Sequence, residues 1–307
     1  MKFYPFVLIL IFTFLLNCQE EGKEEDKSYS ADLIEVLGPK EKGVFDSLNV
    51  PDSLKNEVRN ISNFNYYESG VRADDSPLAH NDGPFSEFLK LKNKAKLKEL
   101  YQLTFNKNIP VSLYSSIAVS QRIPKLIPVF YSRILNTDEK VYSENGCLVG
   151  DLHPSEIFYN EYFSKFEENL ASQDPMIKIL DSISIFHKNT TRYVIIQALR
   201  HRIYPEHFQK QMEKLAFNNE NPYVLLYLSN NFKNRYKDQL QNTMISYLSK
   251  PIKDEYQDYS KDALMVELMR YRNPKNKKII ENYSKNNYMI NSNPEFITLK
   301  EANGIVK

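Results

Sequence analysis

Glycine is scarce in this chain of 307 residues: there are eight, and beyond Asp174 only Gly304 remains. A phosphate-cradling loop needs clustered glycines that let the backbone approach its ligand, and no such cluster exists, which excludes P-loop and Rossmann dinucleotide sites. Tryptophan is absent, so any stacking against a sugar ring would fall to the 21 tyrosines and 18 phenylalanines. Cysteine occurs twice, at Cys18 and Cys147, which is too few for a disulfide framework. An excess of charge of one sign is also missing. The 40 Lys and Arg stand against 39 Asp and Glu, a formal net of +1, and a cleaved leader carrying Lys2 would bring the balance to zero. Such a chain has no global field to draw it to nucleic acid, and no nucleic-acid partner is expected. The local basic run Lys90-Leu91-Lys92-Asn93-Lys94-Ala95-Lys96-Leu97-Lys98 spaces its apolar residues helically and reads as a solvated helix face. Adjacent carboxylates such as Glu167-Glu168 cannot face each other across a helix, so they form no glycosidase pair.

The chain opens with Met1-Lys2, an uncharged run from Phe3 to Leu16, and then Asn17-Cys18. A positive start and a short apolar core are the parts of a secretory signal. The run is shorter than the roughly 20 apolar residues a membrane-spanning helix needs. Leu15-Leu16-Asn17-Cys18 resembles the lipobox of bacterial lipoproteins, with Leu15 three places before the cysteine and Asn17 where that family has a smaller residue. The resemblance implies cleavage before Cys18, acylation of Cys18 and lasting membrane attachment. Cys147 would then have no intramolecular disulfide partner. Residues 1–17 are accordingly expected to be a signal peptide, and residues 18–30, with their acidic run Gln19 to Lys27, a flexible lipidated tether. That acidic patch also resembles the signal by which some Gram-negative groups send lipoproteins to the outer leaflet. The expected location is the outer membrane, facing the periplasm or the cell surface.

Residues 31–307 are expected to form an all-α body of helical repeats, with units near 110–136, 192–219, 222–249 and 262–287. Tyr193 to Pro205 is an apolar run ending in a proline turn, followed by a second run from Glu206 to Phe217. About thirty residues later, a repeat period in the range of helical solenoids, Tyr223 to Ser229 starts a second pair, completed by Tyr236 to Leu248. Ala263 to Met269 with Lys275 to Tyr283, and Tyr114 to Pro124 with Lys125 to Leu135, complete the set. In the second runs the apolar spacing is helical, as in Phe208, Met212 and Leu215. Pro110 and Pro222 stand where a first helical turn tolerates a missing N–H. One helix hairpin cannot bury its own apolar face, so neighbours must stack. The pattern resembles HEAT-like α-solenoids, although Val111-Ser112 stands where HEAT units open with an acidic residue and Val-Arg. Together with the lipobox, it is similar to uncharacterised HEAT-like lipoproteins of Gram-negative bacteria. Two departures are expected: an irregular segment from Tyr29 to Pro84, and a loop or short hairpin inserted at 138–160, where Gly146, Gly150 and Pro154 cluster.

No cofactor is implied. The expected role is a protein-binding scaffold with a partner in the cell envelope, its anchors Arg200, Arg202, Tyr204 and Arg235 exposed on successive repeats. An alternative is a hydrolase built around Cys147 and His153, a thiol and an imidazole six residues apart; a second is carbohydrate capture. His201 and His207, with Glu206 and His187, are metal-ligand candidates, but His-Glu-x-x-His is absent and a hairpin tip explains them as well. His80-Asn81-Asp82 reads as a polar turn.

Overall fold

The computed structural model describes residues 43–70, 83–145, 148–166, 173–200, 202–251, 259–287 and 290–305. Its body is made of stacked helix pairs of the HEAT-like α-solenoid kind, with one small sheet. Five helical segments begin in the same way, with an acceptor side chain followed by proline: His153-Pro154, Asp174-Pro175, Asn221-Pro222, Asn273-Pro274 and Asn293-Pro294. The acceptor caps the free N–H groups of the first turn, and proline loses nothing there because its position has no intrahelical partner. Asn221 Oδ1, for example, accepts from Tyr223 N at 3.1 Å and Val224 N at 3.2 Å.

Two compact units divide the chain. One holds the described residues up to Val119 together with Lys140–Leu152; the other holds Ser120–Glu139 and the described residues from His153 onward.

In the first unit, α1 (Lys55–Phe64) buries Val58 and Ile61 and ends in the left-handed Asn65. That C-cap turns the chain directly into β1 (Tyr66–Glu68). Helix α2 (Pro84–Lys94) packs on α1 and on β1, and α3 (Leu97–Leu103) follows after a break at Ala95-Lys96. The break divides the basic run between two helices; on α2 Leu91 is buried while Lys90 and Lys94 remain at the surface. Strand β2 (Val141–Asn145) lies parallel to β1 and antiparallel to β3 (Leu148–Leu152). The first part of α4 (Ile109–Arg122) brings in Tyr114, which is fully buried. Its ring stacks 4.9 Å from Tyr67 and 4.6 Å from Phe88. Its hydroxyl accepts from Glu68 N and donates to Glu68 O, both at 2.8 Å, so both backbone polar groups of a buried strand residue are satisfied by one side chain.

In the second unit, α5 (Ile127–Ile134) packs on α6 (Pro154–Phe163) and α7 (Pro175–Phe186), and α7 packs on α8 (Arg192–Arg200). Then come α9 (Gln209–Glu213), running on through a π-turn to Asn218, and α10 (Pro222–Leu248). Helix α10 is broken at Phe232 and Tyr236, whose ψ angles are 24° and 18°. This is the junction expected between the runs starting at Tyr223 and Tyr236. Helices α11 (Tyr259–Met269), α12 (Lys277–Asn286) and α13 (Pro294–Ala302) complete the stack, α11 packing on both α10 and α13. One apolar core runs through these helices from Ile185 to Ile305. Among the described residues no helix is long and apolar enough to cross a membrane.

Three expectations need correction. The segment from Tyr29 to Pro84 is not irregular throughout: it contains α1 and β1, and Pro84 opens α2. The stripe of Leu54, Val58 and Ile61 that drives this helix is short, and all three residues are buried. The insertion at 138–160 is a hairpin only to Leu152; from Pro154 it is α6. Finally, α8 packs on α7, α10 and α6, elements outside the expected unit at 192–219.

Glu68 and the Asn221 cap generate two predictions. The Glu68 side chain is buried, and its Oε2 accepts the Phe85 N–H at 3.1 Å. A Cβ on Gly83 would crowd that oxygen, so any larger residue there would displace the Glu68 carboxyl. Burial raises the Glu68 carboxyl above its ordinary range, and the Phe85 N–H offsets this only in part. Folding therefore favours the protonated acid: the contribution is whole below the unfolded-state pKa and is lost as pH rises through the raised value. Glu68→Gln is expected to raise stability near neutral pH and leave it little changed near pH 4; an equal effect at both, in urea titrations, would refute this. Asn221→Ala is expected to destabilise the second unit by about 0.5–2 kcal/mol through loss of the cap, again read from urea unfolding.

Candidate functional site

The expected site residues fall into different environments. Cys18, His80, Cys147 and His201 lie outside the described residues. His153 caps α6: Nδ1 lies 2.7 Å from Ser155 Oγ and accepts from Ser155 N, while Nε2 lies 2.8 Å from Thr137 O. Both ring nitrogens are thus engaged in holding a helix start. His207 is exposed beside Phe208, their ring centroids 4.5 Å apart. His187 accepts from Asn189 N; burial, then Lys188 and His153, lower its pKa and favour the neutral ring. Among the described residues no group of three or more His, Cys, Asp or Glu could hold a metal ion.

Two of the four proposed anchors are structural instead. Tyr204 is buried, its hydroxyl donating to Ala198 O at 2.6 Å and its backbone N–H to Tyr227 Oη at 2.8 Å. Arg202 pairs with the carboxylate of Asp181, which is buried on α7 and also accepts from Tyr159 Oη at 2.6 Å. The guanidinium lies 5.3 Å from the Tyr204 ring centroid. Arg200 and Arg235 do stand at the surface, Arg235 with Glu206 at 3.9 Å.

Sequence reasoning missed a lysine-lined cleft. Its volume is about 650 Å³, and it lies between the end of α10, the start of α11, and α12. Ile245, Leu248, Pro251 and Ile279 provide apolar lining; Lys250, Lys261, Lys275 and Lys278 provide charge; Asn282, Tyr283 and Asn287 are neutral and polar. No acidic residue is among the described residues that line it. The nearby Asp262 carboxylate is occupied by Tyr283 Oη at 2.8 Å and Asn287 Nδ2 at 2.9 Å. Lys261 is only 4% exposed, and its ammonium donates to Lys250 O at 2.7 Å and sits 5.6 Å from the Tyr247 ring centroid. Lys275 and Lys278 are exposed.

Lys250 pairs with Glu220, whose carboxylate also accepts from Ser246 Oγ; the ammonium of Lys250 holds that carboxyl below its usual range. Glu220 lines a second cleft, of about 420 Å³, with Phe186, His187, Lys188, Lys214 and Tyr247. The Glu220–Lys250 pair therefore joins a residue of each cleft. The four cleft lysines come from three separate stretches, so only tertiary packing gathers them.

Compared with protein-family models, curated proteins and solved structures, the chain matches none.

The two classes of arginine should respond differently to substitution. Arg202→Met strands the buried Asp181 charge and is expected to destabilise by about 3–5 kcal/mol. Arg235→Ala removes only an exposed pair and is expected to cost less than about 1 kcal/mol. Denaturant unfolding of both variants checks the contrast, and equal losses would contradict the assignment.

Proposed function

We propose that this chain is an extracytoplasmic lipoprotein, held to a membrane by lipid on Cys18, whose helix pairs bind a protein partner of the cell envelope. Leu15-Leu16-Asn17-Cys18 behind a short apolar run carries the first half of this proposal. The stacked helix pairs support the second, because such stacks expose successive helix faces and turns over a larger surface than one hairpin offers. The scaffold proposal draws on surface residues such as Arg200, Arg235 and the cleft lysines, since Tyr204 and Arg202 are committed to the interior. A hydrolase around Cys147 gains no support from His153, whose ring nitrogens are occupied by Ser155 and Thr137.

Metabolic labelling with palmitate in the native cell is expected to mark the wild-type chain and not the Cys18→Ala variant; label retained by the variant would refute lipidation. Protease treatment of intact cells separates the two faces: degradation indicates surface display, and protection indicates the periplasmic side. Affinity capture from the cell envelope tests the scaffold role, which fails if no protein is retained above an unrelated lipoprotein control.

A further inference from the structure

We infer that the lysine-lined cleft of the second unit is a docking site for an acidic peptide segment of a partner protein. The inference rests on the scaffold reading and specifies where and by what chemistry the partner is held. Three observations carry it. The cleft collects four lysines from three parts of the chain, while no acidic residue is among the described residues lining it. Lys275 and Lys278 are exposed at its edge, one helical turn apart, so their charges face incoming ligand rather than an internal carboxylate. Between the charges lies apolar lining from Ile245, Leu248, Pro251 and Ile279. A segment alternating carboxylates with aliphatic side chains matches both features. The carboxylates neutralise the rim, and the aliphatic groups leave water against the lining. The buried Lys261 supplies a second layer of positive charge, where weaker screening makes it act more strongly than a surface lysine.

Asp262, next to Lys261 on α11, accepts from the neutral Tyr283 and Asn287 and keeps its negative charge, so it offsets part of the charge at the cleft floor and leaves the attraction chiefly to Lys275 and Lys278 at the rim. Lys250 has a carboxylate partner, Glu220, on its far side. It therefore contributes less to the attraction than Lys275 and Lys278.

The test uses the full chain and a fluorescein-labelled ten-residue peptide of alternating Glu and Leu, followed by fluorescence anisotropy; a Lys–Leu peptide of equal length is the control. Specific binding of the Glu–Leu peptide is expected, weakened about tenfold or more by the double variant Lys275→Glu/Lys278→Glu, since rim charge reversal acts on encounter and affinity together. Lys237→Glu, an exposed lysine of α10 outside the cleft, is expected to leave it unchanged. Because the substituted lysines are exposed, an unchanged circular-dichroism melt of the double variant excludes unfolding as the cause. Equal binding by wild type and the double variant overturns the inference, as does binding of the Lys–Leu peptide as tight as that of the Glu–Leu peptide. Binding that emerges only after Asp254, Glu255 and Asp258 are neutralised also overturns it, by making the chain's own acidic segment the competitor. Envelope capture distinguishes the two proposals. A partner retained equally by the double variant leaves the scaffold standing without this cleft, whereas peptide binding with no envelope partner leaves the cleft without the scaffold.

Discussion

A stack of short helices depends on each helix starting at a definite residue, because a shift of one position would rotate its apolar stripe by about 100° away from the neighbour. At five helical segments that constraint is met by an acceptor side chain followed by proline. Asp174, Asn221 and Asn293 each cap two N–H groups of the following turn. Proline cannot donate a helical N–H, so these helices cannot extend backwards through it without losing a bond. The start is specified from both sides: the residues before proline are held out of the helix, and the turn after it is capped. The scarcity of glycine fits this arrangement, since helices stopped by caps and prolines need few glycine breaks.

With the starts set, specificity between helices comes from buried polar pairs. Tyr131 meets Ser184 at 2.7 Å, joining α5 to α7, and Tyr159 meets Asp181, joining α6 to α7. Glu267 on α11 gathers Ser229, Lys233 and Arg270, each within 2.8 Å. Burial opposes ionisation of Glu267, but those three donors outweigh it and hold the carboxyl below its usual range. Every such pair ties a particular residue to a particular partner, since leaving a buried donor or acceptor unmatched costs about 1–3 kcal/mol. Apolar contacts alone would tolerate sliding of one helix on the next. Paired hydroxyls and carboxylates penalise it.

Much of this was legible in the sequence, and the reasons differ by element. The apolar runs around Val224, Leu225 and Leu228, and around Leu264, Met265 and Leu268, are core and were visible because their spacing is helical. The break within α10 was visible because the apolar run from Tyr223 to Ser229 stops short of the one that starts at Tyr236. The hairpin was visible from Gly146 and Gly150. What was illegible was pairing across distance. Arg200 and Arg202 are the same residue type two positions apart. Only the fold aims one at the buried Asp181 and leaves the other at the surface. Tyr204, beside a proline turn, looks like an exposed anchor in one dimension, yet its ring packs 4.9 Å from Phe208 and its two polar groups find partners within the core. Asparagine has a physical role at the helix starts, where Asn221, Asn273 and Asn293 act as caps.

The same accounting explains why the net charge near zero is a poor guide to this surface. Opposite charges in the second unit are consumed unevenly. Asp181, Glu267 and Glu220 are drawn into pairs with Arg202, Lys233, Arg270 and Lys250, and Asp262 is held by neutral donors. Asp181 and Glu267 are buried in pairs that organise α7, α10 and α11, while Lys275 and Lys278 face outward on and beside α12. A chain balanced in total can be locally basic once its carboxylates have been turned inward. Electrostatic recognition depends on the charge that remains at the surface after folding, and Lys275 and Lys278 at the cleft between α10, α11 and α12 are part of that remainder.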